Sequence, residues 1–179
     1  MAICSYPVEL TTICDKMDDI DRAMLRYRRG GEAIGQLEGL LEQYKEIAAR
    51  EPEYLVCAKL GLNLLFNLGC AYEQGGKLEK AVEIHEELLR LNPTDHQAMY
   101  NAGTNLVKLF TAFQNRVCGA QYRQDLLDRA IILLRKAVEL NPENPNYMQN
   151  LEEAFGIKMR LQAYADIRGD GNRRRGPIC

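Results

Sequence analysis

Residues 81–93 read AVEIHEELLRLNP, and a near-copy, AIILLRKAVELNP, occupies residues 130–142, 49 positions later. Past each proline, a Met follows six residues later and an Asn eight residues later, giving Met99, Met148, Asn101 and Asn150. Self-similarity with phased prolines predicts a stacked helical repeat, because one amphipathic helix pair needs a copy of itself as neighbour to bury its apolar stripe. The pattern is typical of a scaffold or binding protein.

The better copy carries marks at a recognisable spacing: Leu65, Leu68, Gly69, Tyr72, Ala81 and Pro93. They resemble the tetratricopeptide repeat, a 34-residue helix–turn–helix unit marked by an aromatic, Leu-Gly, Tyr, Ala, an aromatic and Pro. Leu65 stands where the family has Trp, and His85 where it has an aromatic. Counting back from Pro93 places this unit at residues 62–95. We expect Gly69 to let the two helices approach closely and Pro93 to end the second one.

The resemblance covers roughly residues 62–165 and implies an all-α, right-handed solenoid of antiparallel helix pairs. Within the repeat region we predict a unit at 53–95, a second at 96–144 and a capping helix at 145–165. The second unit has fifteen extra residues between its helices, which predict an extended helical hairpin with about two extra turns per helix. Residues 8–52 are predicted to form a degenerate repeat or an N-terminal cap, residues 1–7 a flexible arm, and residues 166–179 a disordered basic tail.

Composition narrows the class of function. The chain has 23 Lys and Arg against 25 Asp and Glu, a balance that argues against binding nucleic acid through bulk charge. The sequence has no apolar run of membrane length and no charged-then-apolar leader, so a soluble, cytoplasmic protein is expected. It also lacks a phosphate loop, a nucleophile triad and a metal-binding motif, so we expect neither an enzyme nor a cofactor.

Six cysteines are scattered along the chain without close pairs: Cys4, Cys14, Cys57, Cys70, Cys118 and Cys179. This spacing favours buried thiols in a reducing compartment over a disulfide or a metal site.

Three asparagines form the clearest candidate site. Asn67, Asn101 and Asn150 occupy the same position on the first helix of successive units. The resemblance implies that first helices line a concave groove, where an amide could donate to and accept from a partner's backbone. The alternative is that each Asn bonds locally within the fold. The further candidates for the groove are Asn63, Phe66, Cys70, Tyr100 and Thr104.

The hairpin is a possible second interface. Its apolar side chains either pack only on each other or offer Phe110, Phe113 or Val117 to a partner.

These features predict a non-enzymatic adaptor or co-chaperone-like factor that binds a partner peptide or helix in its groove. The alternative is a permanent subunit of a larger complex, docked through the apolar hairpin. A more distant likeness is to the import receptors of plant mitochondria, which also carry a long insertion. Capture of the acidic C-termini of chaperones is not expected, because the first-helix positions lack the Lys and Arg clamp of such proteins. The identity of the protein partner is not predicted.

Overall fold

The computed structural model describes residues 8–27, 30–50, 58–114 and 124–173. These residues form seven helices and no strand, so the predicted all-α helical-repeat fold is confirmed. In chain order the helices are α1 Val8–Tyr27, α2 Gly30–Arg50, α3 Ala58–Gln74, α4 Leu78–Leu91, α5 His96–Gln114, α6 Gln124–Leu140 and α7 Pro145–Arg173.

Each helix packs against the next one along the chain, and α1, α3, α5 and α7 also contact one another in succession. The turns at residues 75–77, 92–95 and 141–144 are short, so the helices that they join run antiparallel. In the first of these turns Gly76 adopts a positive φ of 73°, a conformation that glycine reaches without steric cost. This is the layout of stacked helix pairs, in which α3, α5 and α7 are equivalent first helices.

The expected close crossing at Gly69 is present. A Cβ atom at this position would lie 2.5 Å from Cε1 of the fully buried His85 on α4. The register equivalent Gly103 meets α6 in the same way, with Cγ of Leu134 at 2.8 Å from the position of a Cβ. The helix pairs α3–α4 and α5–α6 are therefore held together by the same small-against-large contact.

The hairpin is extended, but its apolar side chains face inward. Helix α5 ends at Gln114, six residues beyond Lys108, the register equivalent of the end of α3. Phe110 is only 1% exposed and packs in a core cluster formed by α4, α5, α6 and α7. The hypothesis that Phe110 is offered to a partner is wrong, because the facing stripe of α6 covers it. Phe113 is partly buried against the same cluster, and Val117 lies outside the described residues.

Helix α7 is longer than predicted. It continues to Arg173, eight residues past the expected end of the cap at residue 165. The prediction of a disordered tail is therefore wrong for residues 166–173. Residues 157–168 read IKMRLQAYADIR, a run rich in strong helix formers that propagates the helix toward the two glycines that follow. Residues 174–179, the arm at 1–7 and residues 53–57 of the unit predicted at 53–95 lie outside the described residues.

Candidate functional site

The predicted groove residues, together with Gln97 and Asn146 at the register position of Asn63, form what we call the first-helix face. Asn63, Gln97 and Asn146 share one register position on α3, α5 and α7, and all three are exposed. The remaining members are half-buried: Phe66, Asn67 and Cys70 on α3, Tyr100, Asn101 and Thr104 on α5, and Asn150 on α7. Stacking of equivalent helices thus brings residues from three units into one row, as the register predicts.

The asparagines connect neighbouring first helices. Asn150 Nδ2 donates to Tyr100 Oη at 2.9 Å and to Thr104 Oγ1 at 3.2 Å. Asn101 Nδ2 lies 3.7 Å from Cys70 Sγ, within reach of a weak hydrogen bond. Asn67 also takes part in an interaction within the structure. For Asn101 and Asn150 the structure therefore shows the alternative of local bonding, and these two amides are not purely solvent-facing groups.

An aromatic cluster closes the row where α5 meets α7. Tyr100 stacks on Tyr147 with ring centroids 4.6 Å apart, and His96 Nδ1 lies 2.9 Å from Tyr147 Oη. Tyr147 is 4% exposed, and this burial raises the pKa of its phenol. Because Tyr100 also accepts the Asn150 bond, the polar side chains here are held in fixed positions.

A charged network that the sequence did not predict joins α3 and α5. Lys108 Nζ lies 2.6 Å from Glu73 Oε1, and Asn105 Nδ2 donates to Glu73 Oε2 at 3.3 Å. Asn105 is fully buried at a register position where the other units have Ala71 and Ala154. That exchange of a core alanine for asparagine was the sequence signal that could have revealed the network.

Phe66 connects the face to the core. Its ring meets His85 edge-on, with the centroids 5.9 Å apart. Within the described residues neither ring nitrogen of His85 has a hydrogen-bond partner. Burial lowers the pKa of His85 to about 4, although Glu73 and Asp95 act in the opposite direction. His85 is therefore a neutral packing residue, as expected for the substitute of the family's aromatic.

The cysteines only partly follow the prediction of buried thiols. Cys70 is half-buried on the first-helix face, but Cys14 on α1 is exposed, so the prediction is wrong there. The other four lie outside the described residues. Across the ranges that the structure describes, no group of three or more His, Cys, Asp or Glu is placed to hold a metal ion. In the same ranges, every helix is too short or too polar to cross a bilayer.

A pocket lies elsewhere, between α1 and α2, where it is lined by Thr12, Ile13, Ile47 and Arg50 among others. It shares no residue with the first-helix face.

Comparison with known proteins supports the motif. The family model described as "Tetratricopeptide repeat" matches residues 62–95. A curated relative, "Photosystem I assembly protein Ycf3" of Acaryochloris marina (strain MBIC 11017), is 26% identical over 142 residues, covering 78% of this chain and 82% of the relative.

Two similar solved structures are "MamA RS-1 ArsTM double mutant" and "MamA 41-end from Desulfovibrio magneticus RS-1". The first is 24% identical, with a TM-score of 0.36, and covers 86% of this chain and 89% of its own. The second is 23% identical, with a TM-score of 0.36, and covers 92% and 98%.

The family match begins and ends at the two residues that counting back from Pro93 predicts, and it contains the Gly69 crossing seen in the structure. The chain therefore carries a tetratricopeptide repeat at residues 62–95.

Proposed function

We propose that this chain is a non-enzymatic protein-interaction module that binds a segment of a partner protein along its first-helix face. The carrying observation is the row of equivalent positions on α3, α5 and α7, where an asparagine recurs on all three helices and an aromatic side chain, Phe66 or Tyr100, on the first two. The tetratricopeptide match and the assembly-protein relative support the broader role in protein interaction or assembly.

The chemistry of the face favours an extended, uncharged segment. The amide nitrogens of Asn101 and Asn150 donate within the fold, so their amide oxygens are the atoms that would accept from a partner's backbone N–H. Each such bond contributes on the order of 0.5–1.5 kcal/mol, and the two together fall well short of the roughly 8 kcal/mol of a micromolar complex. Apolar contact with Phe66 and Tyr100 supplies the rest in this proposal.

A second candidate function is permanent membership of a larger assembly. The relative named as an assembly protein favours it. The burial of Phe110 removes one anchor of the hairpin docking mode, so we place the proposed contact on the first-helix face instead.

The test is affinity capture with a matched pair of triple variants. Asn63→Arg, Gln97→Arg and Asn146→Arg together change the charge of the face at three exposed positions. The control places the same three charges at exposed glutamines on second helices, through Gln36→Arg, Gln43→Arg and Gln124→Arg. We expect wild type and control to retain the same partner and the first-helix variant to lose it. Equal retention by both variants would remove this face from the proposal.

A further inference from the structure

Helix α7 exposes apolar side chains whose register equivalents are buried in both other units. Met148 is 43% exposed, whereas Leu65 and Met99 at the same position are 3% and 6% exposed. Seven residues further along, the exposed fractions are 4% for Tyr72, 1% for Leu106 and 36% for Phe155. In the first two units the following helix, α4 or α6, packs on this side of the first helix. Among the described residues no helix follows α7, so its side remains uncovered.

The uncovered residues form a line that we call the α7 strip: Met148, Glu152, Phe155 and Met159. Their spacing of four, three and four residues places them on one side of the helix. Met159 is 69% exposed. Apolar groups at one end, in the middle and at the other end make the strip suited to a helix laid along it.

Glu152 determines what kind of helix fits. It occupies the register position of Gly69 and Gly103, where the first two units allow the second helix to come close. A carboxylate at this crossing blocks that close approach, so an ordinary second helix of the repeat does not fit. The occupant must instead bring a cation to Glu152.

The chain itself supplies a cation beside the strip. Arg135 on α6 is exposed, and its guanidinium lies 5.7 Å from the centroid of the Phe155 ring. Glu152 and Arg135 thus place a negative and a positive charge beside the same ring, Phe155. Two copies related by a twofold axis can pair these charges with each other, because a twofold contact requires a surface that is complementary to itself.

We propose that the α7 strip is the contact between two copies of this chain, with α7 packed antiparallel on α7 about a twofold axis near residues 153 and 154. In this register Met148 faces Met159 of the second copy, and the two Phe155 rings meet beside the axis. Glu152 then lies opposite Phe155 of the second copy and reaches the Arg135 stacked on it. The contact occurs twice and uses no residue of the first-helix face, so it is independent of the proposed function.

The first measurement is sedimentation of the full chain over a wide concentration range, from about 1 µM to 1 mM. The range is wide because a contact made mainly by one side of one helix per chain gives a weak dimer. We expect a monomer–dimer equilibrium in wild type and at least a tenfold weaker association in the variant Phe155→Ser with Met159→Ser. The matched control, Leu91→Ser with Leu140→Ser, removes exposed apolar groups from equivalent positions of α4 and α6 and is expected to dimerise as wild type does. Circular dichroism confirms that each variant is folded.

The second measurement tests the ion pair by charge reversal. Glu152→Arg and Arg135→Glu, each made in a separate chain, are expected to weaken self-association, because both put like charges together across the axis. An equimolar mixture of the two variants is expected to associate again as a heterodimer, since each chain then meets the opposite charge. A monomeric wild type at the highest concentration, an unaffected Phe155 and Met159 variant, or a mixture that stays monomeric would each overturn the proposal.

Discussion

Single residues set how closely the helices of a unit pack. Gly69 and His85 form the closest such contact in the matched repeat, since any side chain at Gly69 would overlap the imidazole. Gly35 on α2 is a natural contrast, because a Cβ there meets nothing within 4 Å. The two glycines therefore separate the effect of a close crossing from the general effect of replacing glycine in a helix.

We predict that Gly69→Leu lowers the free energy of unfolding by about 1–3 kcal/mol or more, because overpacking a buried site typically costs this much. Gly35→Leu is expected to be neutral or slightly stabilising, because leucine has the better helix propensity. Thermal denaturation of the two variants checks this. Equal melting temperatures would contradict the crossing assigned to residues 62–95.

His85 makes stability depend on pH. Burial lowers its pKa to about 4 in the folded chain, against 6.5 for the unfolded chain. Above pH 6.5 both states are neutral at this residue. Below it the unfolded chain takes up a proton that the folded chain refuses, so the free energy of unfolding falls by about 1.4 kcal/mol per pH unit. The loss is on the order of 3 kcal/mol when complete and levels off below pH 4.

The matched control is His85→Phe, which restores the family's aromatic and cannot titrate. We expect denaturant titrations between pH 7 and pH 5 to show a steeper loss of stability for wild type than for this variant. Identical slopes would mean that His85 is not held neutral in the core.

Asn150 separates a structural from a purely ligand-binding role of the asparagine row. Its bonds to Tyr100 and Thr104 connect α7 to α5, so Asn150→Ala is expected to lower the free energy of unfolding by about 1 kcal/mol. Asn146→Ala, at an exposed position on the same helix, should change it by only a few tenths. Chemical denaturation of both variants decides the matter. An Asn150→Ala variant as stable as wild type would show that this amide does not stabilise the fold.

At the scale of elements, α7 packs on the stack with one half and extends beyond it with the other. Tyr147, Leu151 and Ala154 are buried against α5 and α6, and Leu161 is the last side chain that packs on the core. From Gln162 to Ile167 the side chains are exposed. The first half thus covers apolar side chains of α5 and α6, and we propose that it caps the repeat stack.

We predict that deletion of residues 168–179 leaves the melting temperature unchanged, since the deletion begins beyond the last core contact. Deletion of residues 145–179 should uncover the apolar side of α6 that includes Ile131, and cause aggregation. Circular dichroism and light scattering test both truncations. A soluble, stable chain without α7 would show that this helix is not the cap.

For the whole molecule, the repeat could be predicted because its marks are local. Pro93 predicts the end of the second helix of this unit, and the structure ends α4 at Leu91. Features that depend on how units stack were missed, among them the network of Asn105 with Glu73 and Lys108. The bonding partners of the asparagines could not be predicted either, because each partner lies on the neighbouring first helix, 31 to 50 residues away in sequence.

The central claim is that a partner protein contacts the first-helix face, and site-specific photo-crosslinking in cells tests it most directly. A photoreactive phenylalanine is placed at Asn63, Gln97 or Asn146, and at Gln36, Gln43 or Gln124 as the control positions, all of them exposed. We predict that the three first-helix positions give an adduct with the same partner and that the three second-helix positions give none. Adducts that form equally from both sets, or only from the second helices, would contradict the claim.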